Sequence, residues 1–402
     1  MSNAPDAAAG LSGRLVALMA VGCALAVSTI YYHQPLLPQI ASSFGVAPTH
    51  ASLIATLTQL GYAVGLLLIV PLADRQQPRQ LASLAVAANA VALLACAAAP
   101  TFALLCTASF AVGVTAVTAQ IIIPAISGLA LPAARGHTAG ILLSGLSTGL
   151  LLARTASGFV GAATGWRTVF LLAALVDVAL LVVVARSLPK VTILTAISYG
   201  RLIRSLGRLV REERVLRLSA ATSFMMFAAF SALWATLAAL LAQPPYEFGP
   251  AAIGAFGLVA LLGIAASPRI GALVDRLDAR TMLLAGAIAL AVGFAFIAAG
   301  GRGLGWLIAG MVLLDFGNRA GLVANQTRVY ALRPEARSRL NTVFMGSYFL
   351  GGAAGAALGS YGAHRGAWIG LATMGALLAL AAAAINAFSP RAASTAMADG
   401  RA

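Results

Sequence analysis

The sequence predicts an all-α membrane protein of twelve transmembrane helices, arranged as two six-helix pseudo-repeat halves with both termini in the cytoplasm. Three observations predict it. Of 402 residues, 60% are hydrophobic and 9% charged, whereas a soluble chain is roughly 25% charged. Apolar runs close to the roughly 20 residues that cross a bilayer recur along the whole length. The basic residues lie almost entirely on one side of those runs.

The runs fall at about 15–40, 51–73, 80–99, 102–129, 138–163 and 168–184, and then at 215–242, 250–270, 281–299, 303–323, 338–362 and 367–387. Charges, prolines or glycine-rich turns separate them. Residues 1–13 read as a disordered cytoplasmic N-terminus and 389–402 as a cytoplasmic tail. The first run is longer than the apolar region of a signal peptide and is expected to be retained. The N-terminal half then spans 14–188 and the C-terminal half 215–388. Between them, linker 189–214 alternates Arg201, Arg204, Arg208 and Arg211 with Leu202, Leu206 and Leu209. That spacing predicts a basic amphipathic helix, either against anionic membrane lipids or in solvent.

With both ends inside, 21 of the 26 basic residues are cytoplasmic, three lie outside (Arg167, Arg302, Arg365) and two lie within spans (Arg154, Arg319). This asymmetry accounts for the net charge of +15 without nucleic acid as a partner. One lysine among the 26 points to a GC-rich bacterial genome, hence to the bacterial cytoplasmic (inner) membrane. Cys23, Cys96 and Cys106 sit in apolar runs without metal or redox spacing and read as small apolar side chains.

The chain also repeats itself. Asp74-Arg75-x-x-x-Arg79 after span 2 recurs as Asp275-Arg276-x-x-x-Arg280 after span 8, at an offset of 201. Pro132 to Arg135 after span 4 recurs as Pro334 to Arg337 after span 10, at an offset of 202. Two matches at nearly one offset, each at the same span boundary, mark parallel repeats.

On these residues the sequence resembles the major facilitator superfamily, whose signature loop between spans 2 and 3 reads Gly-x-x-x-Asp-Arg-x-Gly-Arg-Arg. Segments such as Tyr31 to Pro38 and Leu332 to Asn341 resemble a bacterial branch of efflux proteins within it. Val70 and Pro78 stand where the signature has glycine, and Ala279 does so in the second copy, although Gly271 is kept. The resemblance implies a conformational latch at Asp74, Arg75 and Arg79, and at Asp275, Arg276 and Arg280, bridging the halves on the cytoplasmic face in one state. Asp74 closes a helix whose dipole disfavours an anion, so it needs a partner, either Arg79 or the N-terminus of another helix. A plain topogenic charge cluster is the alternative.

Four charges lie within spans. Each costs about 2.5 to 3.5 kcal/mol at mid-bilayer unless paired or hydrated. Asp315 and Arg319 are four apart on span 10 and share a helix face. Arg154 on span 5 and Asp177 on span 6 both lie about 14 Å from the outer end and could face each other. Each pair fits either a permanent bridge or a coupling pair. The resemblance favours coupling for span 10, because the family's cavity is lined mainly by spans 1, 4, 7 and 10. Asp315 is therefore the candidate proton carrier, with Arg319, Arg154, Asp177 and His33 as further coupling candidates.

Tyr31, Tyr32, Gln34, Gln59, Gln120, Phe227, Trp234, Asn325 and Gln326 supply the candidate cavity wall, or else interhelical and interfacial anchors. Such a wall suits an amphipathic, weakly polar molecule better than a phosphate or carboxylate. On span 5, Gly145-x-x-x-Gly149, Gly158 and Gly161 have the small-residue spacing of closely packed helices, but the Gly-Pro pair of the antiporter signature is missing.

The chain carries no Walker A sequence, no HExxH and no convergent acid, base or metal ligands. The expectation is therefore a non-enzymatic secondary transporter without cofactor or metal, acting as a monomer among membrane lipids. Proton-coupled efflux of a small amphipathic substrate by alternating access leads. A proton symporter or facilitator for a small metabolite, or a non-transporting sensor with the same fold, stands as the alternative.

Overall fold

The computed structural model describes residues 12–131, 134–190, 198–261, 278–333 and 336–388. Among the described residues the ordered elements are all helical, and nine helices are long and apolar enough to cross a bilayer. Pro48–Asp74, Pro78–Ala98, Phe102–Leu129, Arg135–Thr164, Trp166–Ser187 and Arg214–Leu241 fill predicted spans 2 to 7. Ala279–Arg302 and Leu304–Tyr330 fill spans 9 and 10. Arg337–Ala387 has 51 residues, about twice a bilayer crossing. It leaves helical geometry at Gly366 and Ala367, where the sequence separates spans 11 and 12. Span 8 begins as Pro250–Val259, and 262–277 lie outside the described residues, as do 1–11 and 389–402.

Span 1 departs from the single run read in the sequence. A helix Gly13–Ser28, capped by the Ser12 hydroxyl on the Leu15 amide, gives way to turns at 29–33, a short 3-10 segment Gln34–Leu36 and a second helix Leu37–Phe44. Pro35 and Pro38 explain the break, since neither has an N–H to continue the helical ladder. Non-helical backbone at membrane depth is tolerated where protein or water surrounds it, and Ile30, Tyr31, His33 and Gln34 are all buried. Span 4 is interrupted too, as Phe102–Thr115 and Thr118–Leu129. Asn89 of span 3 donates to the Val112 carbonyl beside that interruption.

The repeat is visible in the packing. A Cβ placed on Gly149 of span 5 would lie 2.1 Å from the Ala24 carbonyl oxygen of span 1, and one on Gly355 of span 11 would lie 1.9 Å from that of Ala228 on span 7. Gly145 on Ala20 and Gly351 on Phe224 repeat the contact one turn earlier. The same helix pair in each half is therefore drawn to backbone contact by glycines four apart.

The linker forms the helix Tyr199–Glu212, with Leu202, Leu206 and Leu209 buried and Arg201, Arg204, Arg208 and Arg211 exposed. Its leucine face covers protein, which leaves the arginine face for solvent or lipid headgroups. Tyr199 donates its hydroxyl to the Leu68 carbonyl at the end of span 2 (2.8 Å). At the other end, Arg333 after span 10 pairs with Glu212 (3.1 Å) and Glu213 (2.6 Å).

Candidate functional site

The break in span 1 turns Tyr31, His33 and Gln34 towards span 5, and there they meet Arg154. The Arg154 Nε donates to Gln34 Oε1 at 2.5 Å and its Nη1 to the Leu150 carbonyl at 3.3 Å. Its guanidinium carbon lies 4.0 Å from the ring centre of Trp234 and 4.7 Å from that of Tyr31, within the range of cation–π attraction. Arg154 is only 3% exposed.

The expected pairing of Arg154 with Asp177 does not form. Equal depth brought the two level, but helix rotation turns Arg154 towards span 7. Asp177 lies buried, within electrostatic reach of Tyr32. No ion pair to Asp177 is formed among the described residues. His33 is buried as well, and its Nε2 has no hydrogen-bond partner.

On span 10, Arg319 Nε donates to Asp315 Oδ2 at 2.7 Å, with Asp315 buried and Arg319 partly exposed. Arg154 lies within electrostatic reach of the same carboxylate.

The wall between these charges is aromatic. Phe227 stacks on Tyr348 with centroids 3.8 Å apart and planes 14° apart, and Phe349 meets Tyr62 edge-on at 4.4 Å. Asn318 donates to the Tyr348 hydroxyl at 3.0 Å. Tyr62, Tyr348 and Phe349 join the candidates named from the sequence. Their signal was available: Tyr348 and Phe349 are bulky side chains in the glycine- and alanine-rich stretch 346–359 of span 11, where only a gap opposite gives them room.

The amides hold helices together. Gln59 of span 2 donates to the Ser231 hydroxyl of span 7 at 3.0 Å, across the two halves. Asn325 donates to Ser223 at 2.9 Å, Gln120 reaches the Tyr62 hydroxyl at 3.4 Å, and Gln326 contacts the Met345 sulfur. Asn325 and Gln326 thus sit nearer the far end of span 10 than Asp315, in contact with spans 7 and 11.

The end of the bundle where spans 2 and 8 begin is closed. The Ser52 and Ser360 hydroxyls are 2.6 Å apart and share the Thr49 carbonyl. Thr155 donates to the Gly254 carbonyl at 3.1 Å, and Gly158 abuts the Pro250 carbonyl. Towards the opposite end a cavity of about 470 Å³ lies under the linker helix, lined by Leu67, Val210, Leu216, Phe224 and Leu350 among others.

The latch candidates divide. The Val70–Asp74 turn packs against the helix that begins at Arg337, and Arg339 of that helix acts electrostatically on Asp74. This places one cation of the other half close to Asp74. Arg75 is exposed and Arg79 half-buried. Asp275 and Arg276 lie outside the described residues. Arg280 donates to the Ala387 carbonyl at 2.9 Å and accepts from Asn386 on its own carbonyl. It caps the last helix within its own half, where exposed carbonyls attract a cation. Asp278 beside it caps span 9. The Thr281 hydroxyl and amide, with the Arg280 amide, hold its carboxyl below the usual carboxylate range.

Two broken or glycine-seamed halves around a charged, aromatic centre are the architecture of a transporter, and comparison with known proteins decides which. The sequence profile of the Major Facilitator Superfamily matches residues 17–276 and 220–396. The chain belongs to that superfamily. It is 35% identical over 370 residues to the uncharacterized transporter YgaY of Escherichia coli O157:H7, covering 92% of this chain and 94% of that one. A transporter of Streptomyces coelicolor is 33% identical over 373 residues, covering 90% and 86%. Among solved structures, the human organic anion transporter MFSD10 superposes with a TM-score of 0.71 at 18% identity, over 95% of this chain and all (100%) of that one. The nucleoside transporter NupG superposes with 0.72 at 14% identity, over 92% and 99%. At such identities the likeness shows the fold. The superfamily member described here is a multi-pass membrane transport protein and not an enzyme.

Proposed function

We propose that this superfamily member exports small amphipathic molecules across the bacterial cytoplasmic membrane by alternating access, in exchange for protons and as a monomer. The arginine-rich faces mark the cytoplasmic side, with both termini there. In this orientation the closed end is periplasmic and the cavity under the linker helix is cytoplasmic. The observation that carries the coupling is the Asp315–Arg319 pair at 2.7 Å, on the helix whose Asn318 donates to Tyr348 of the aromatic cluster. A carboxylate whose guanidinium partner moves when the halves rock changes its proton affinity between states, and that change is what coupling needs. Gln59 on Ser231 and Asp74 near Arg339 are contacts that such rocking would make and break.

Asp315→Asn in proteoliposomes tests the coupling. The variant is expected to equilibrate substrate without following an imposed pH gradient. Substrate that still follows the gradient assigns the proton to another group. Wild-type flux down the proton gradient, into the cell, identifies the symporter.

A further inference from the structure

Arg154 is a buried cation that forms no ion pair among the described residues. Its neighbourhood holds two guanidinium groups and one carboxylate, and Asp315 Oδ2 is already taken by Arg319 at 2.7 Å. Gln34 and the Leu150 carbonyl accept from Nε and Nη1, while no described residue accepts from Nη2. Neutral acceptors and aromatic faces ease the burial but leave one positive charge in a setting where an unpaired charge is costly.

The place is a seam. Gln34, Pro35 and Arg154 from one half and Trp234, Leu237, Ala238 and Ile253 from the other enclose a cavity of about 10 Å³, room for one water molecule. Such a pocket widens when the halves part. Its walls offer a planar cationic fork and the indole of Trp234, with the phenol ring of Tyr31 against the same guanidinium and the unpartnered Nε2 of buried His33 nearby. A guanidinium fork matches a carboxylate in shape and charge, and the rings match an aromatic or apolar body.

We propose that Arg154 is the anion-binding residue of the transport site and that the substrate class is the small organic monoanion, a carboxylate on an aromatic or apolar body. This names the substrate of the transport reading above and rests on that reading for its place between the halves. The sequence pointed to a weakly polar ligand because the candidate wall residues are aromatic or uncharged, with Arg154 and Asp177 able to neutralise each other. With Asp177 turned away, the ligand supplies the missing charge.

The test is binding to the purified full chain in detergent, with no gradient present. Benzoate, benzamide and benzylammonium are titrated against tryptophan fluorescence and against the thermal unfolding midpoint. Benzoate is expected to bind at least tenfold tighter than benzamide, with benzylammonium weakest. Arg154→Gln is expected to remove the preference while benzamide binds as before. Arg154→Lys, which keeps the charge without the fork, is expected to retain part of it. Equal binding of benzoate and benzamide to the wild type overturns the proposal whatever the variants do. A full benzoate preference in Arg154→Gln also overturns it. Anion binding without pH-driven flux leaves this site standing and removes the export reading, whereas flux without anion preference does the reverse.

Discussion

Replacing Gly355 by alanine should damage the C-terminal half far beyond the size of a methyl group. The added Cβ would start 1.9 Å from the Ala228 carbonyl oxygen and 2.5 Å from the Ala228 Cα, whereas real Cβ atoms essentially never approach within 3.0 Å. Spans 7 and 11 must therefore separate by about 1.1 Å. Gly351 and Gly359 hold the same seam one turn to either side, against Phe224 and Ala232, so a tilt about Gly355 cannot relieve the clash. Span 7 carries Phe227, Ser231 and Trp234. A shift of that size opens the 3.8 Å stack of Phe227 on Tyr348 and stretches the 3.0 Å bond from Gln59 to Ser231. Overpacking of this kind costs about 1 to 3 kcal/mol. The measurement is the unfolding midpoint in detergent, with Gly140→Ala as control, because a Cβ at Gly140 meets nothing within 4 Å. The control should match or exceed the wild type, since alanine is the better helix former by about 0.5 to 1 kcal/mol. A Gly355→Ala protein as stable as the control would refute the backbone seam and, with it, the packing of span 7 against span 11.

Three further outcomes follow from other parts of the molecule. Ser52→Cys with Ser360→Cys should form a disulfide on mild oxidation, since the parent hydroxyls are 2.6 Å apart, and should stop transport until a reductant is added; transport unaffected by the cross-link would show that this end does not open. Asp278→Ala should lower stability by about 0.5 to 2 kcal/mol through loss of the helix cap. The Asp278 carboxyl is held below its ordinary value of 3.8, so its contribution is complete above that value and fades as pH falls through the lower folded value. Asp278→Asn should keep most of the cap and flatten the acid limb of the stability profile, and an unchanged limb would contradict this. Asn325→Ala, which leaves the buried Ser223 hydroxyl without its donor, should cost about 1 kcal/mol in the unfolding midpoint; no change would mean that water replaces the amide.

Much of this architecture was legible because the bilayer imposes its own period. Apolar length and arginine position are properties of the chain, so the limits of the nine described crossing helices and the turn at Ala367 could be read directly. The Asp315–Arg319 pair was legible for the same reason, since four residues along one helix fix a shared face. Arg154 and Asp177 failed because their meeting depended on the rotation of two helices about their own axes, which packing sets. Gly145 and Gly149 determine that rotation, and the spacing showed them to be an interface without naming span 1 as the partner. The break in span 1 was signalled by Pro35 and Pro38 and lost in a hydropathy that stays apolar across it. Asp278 was hidden by its neighbours, because the repeated Asp-Arg motif drew the reading to Asp275.

The interrupted first span has a consequence for how the substrate path can evolve. A continuous helix satisfies its own peptide groups and can be turned towards lipid or towards a neighbour at little cost. The stretch through Tyr31 and Gln34 lacks that freedom, since its exposed amides and carbonyls would be stranded in hydrocarbon. New ligand preferences at this address should therefore arise by exchanging the side chains around a stationary bend, with the bend itself kept in place.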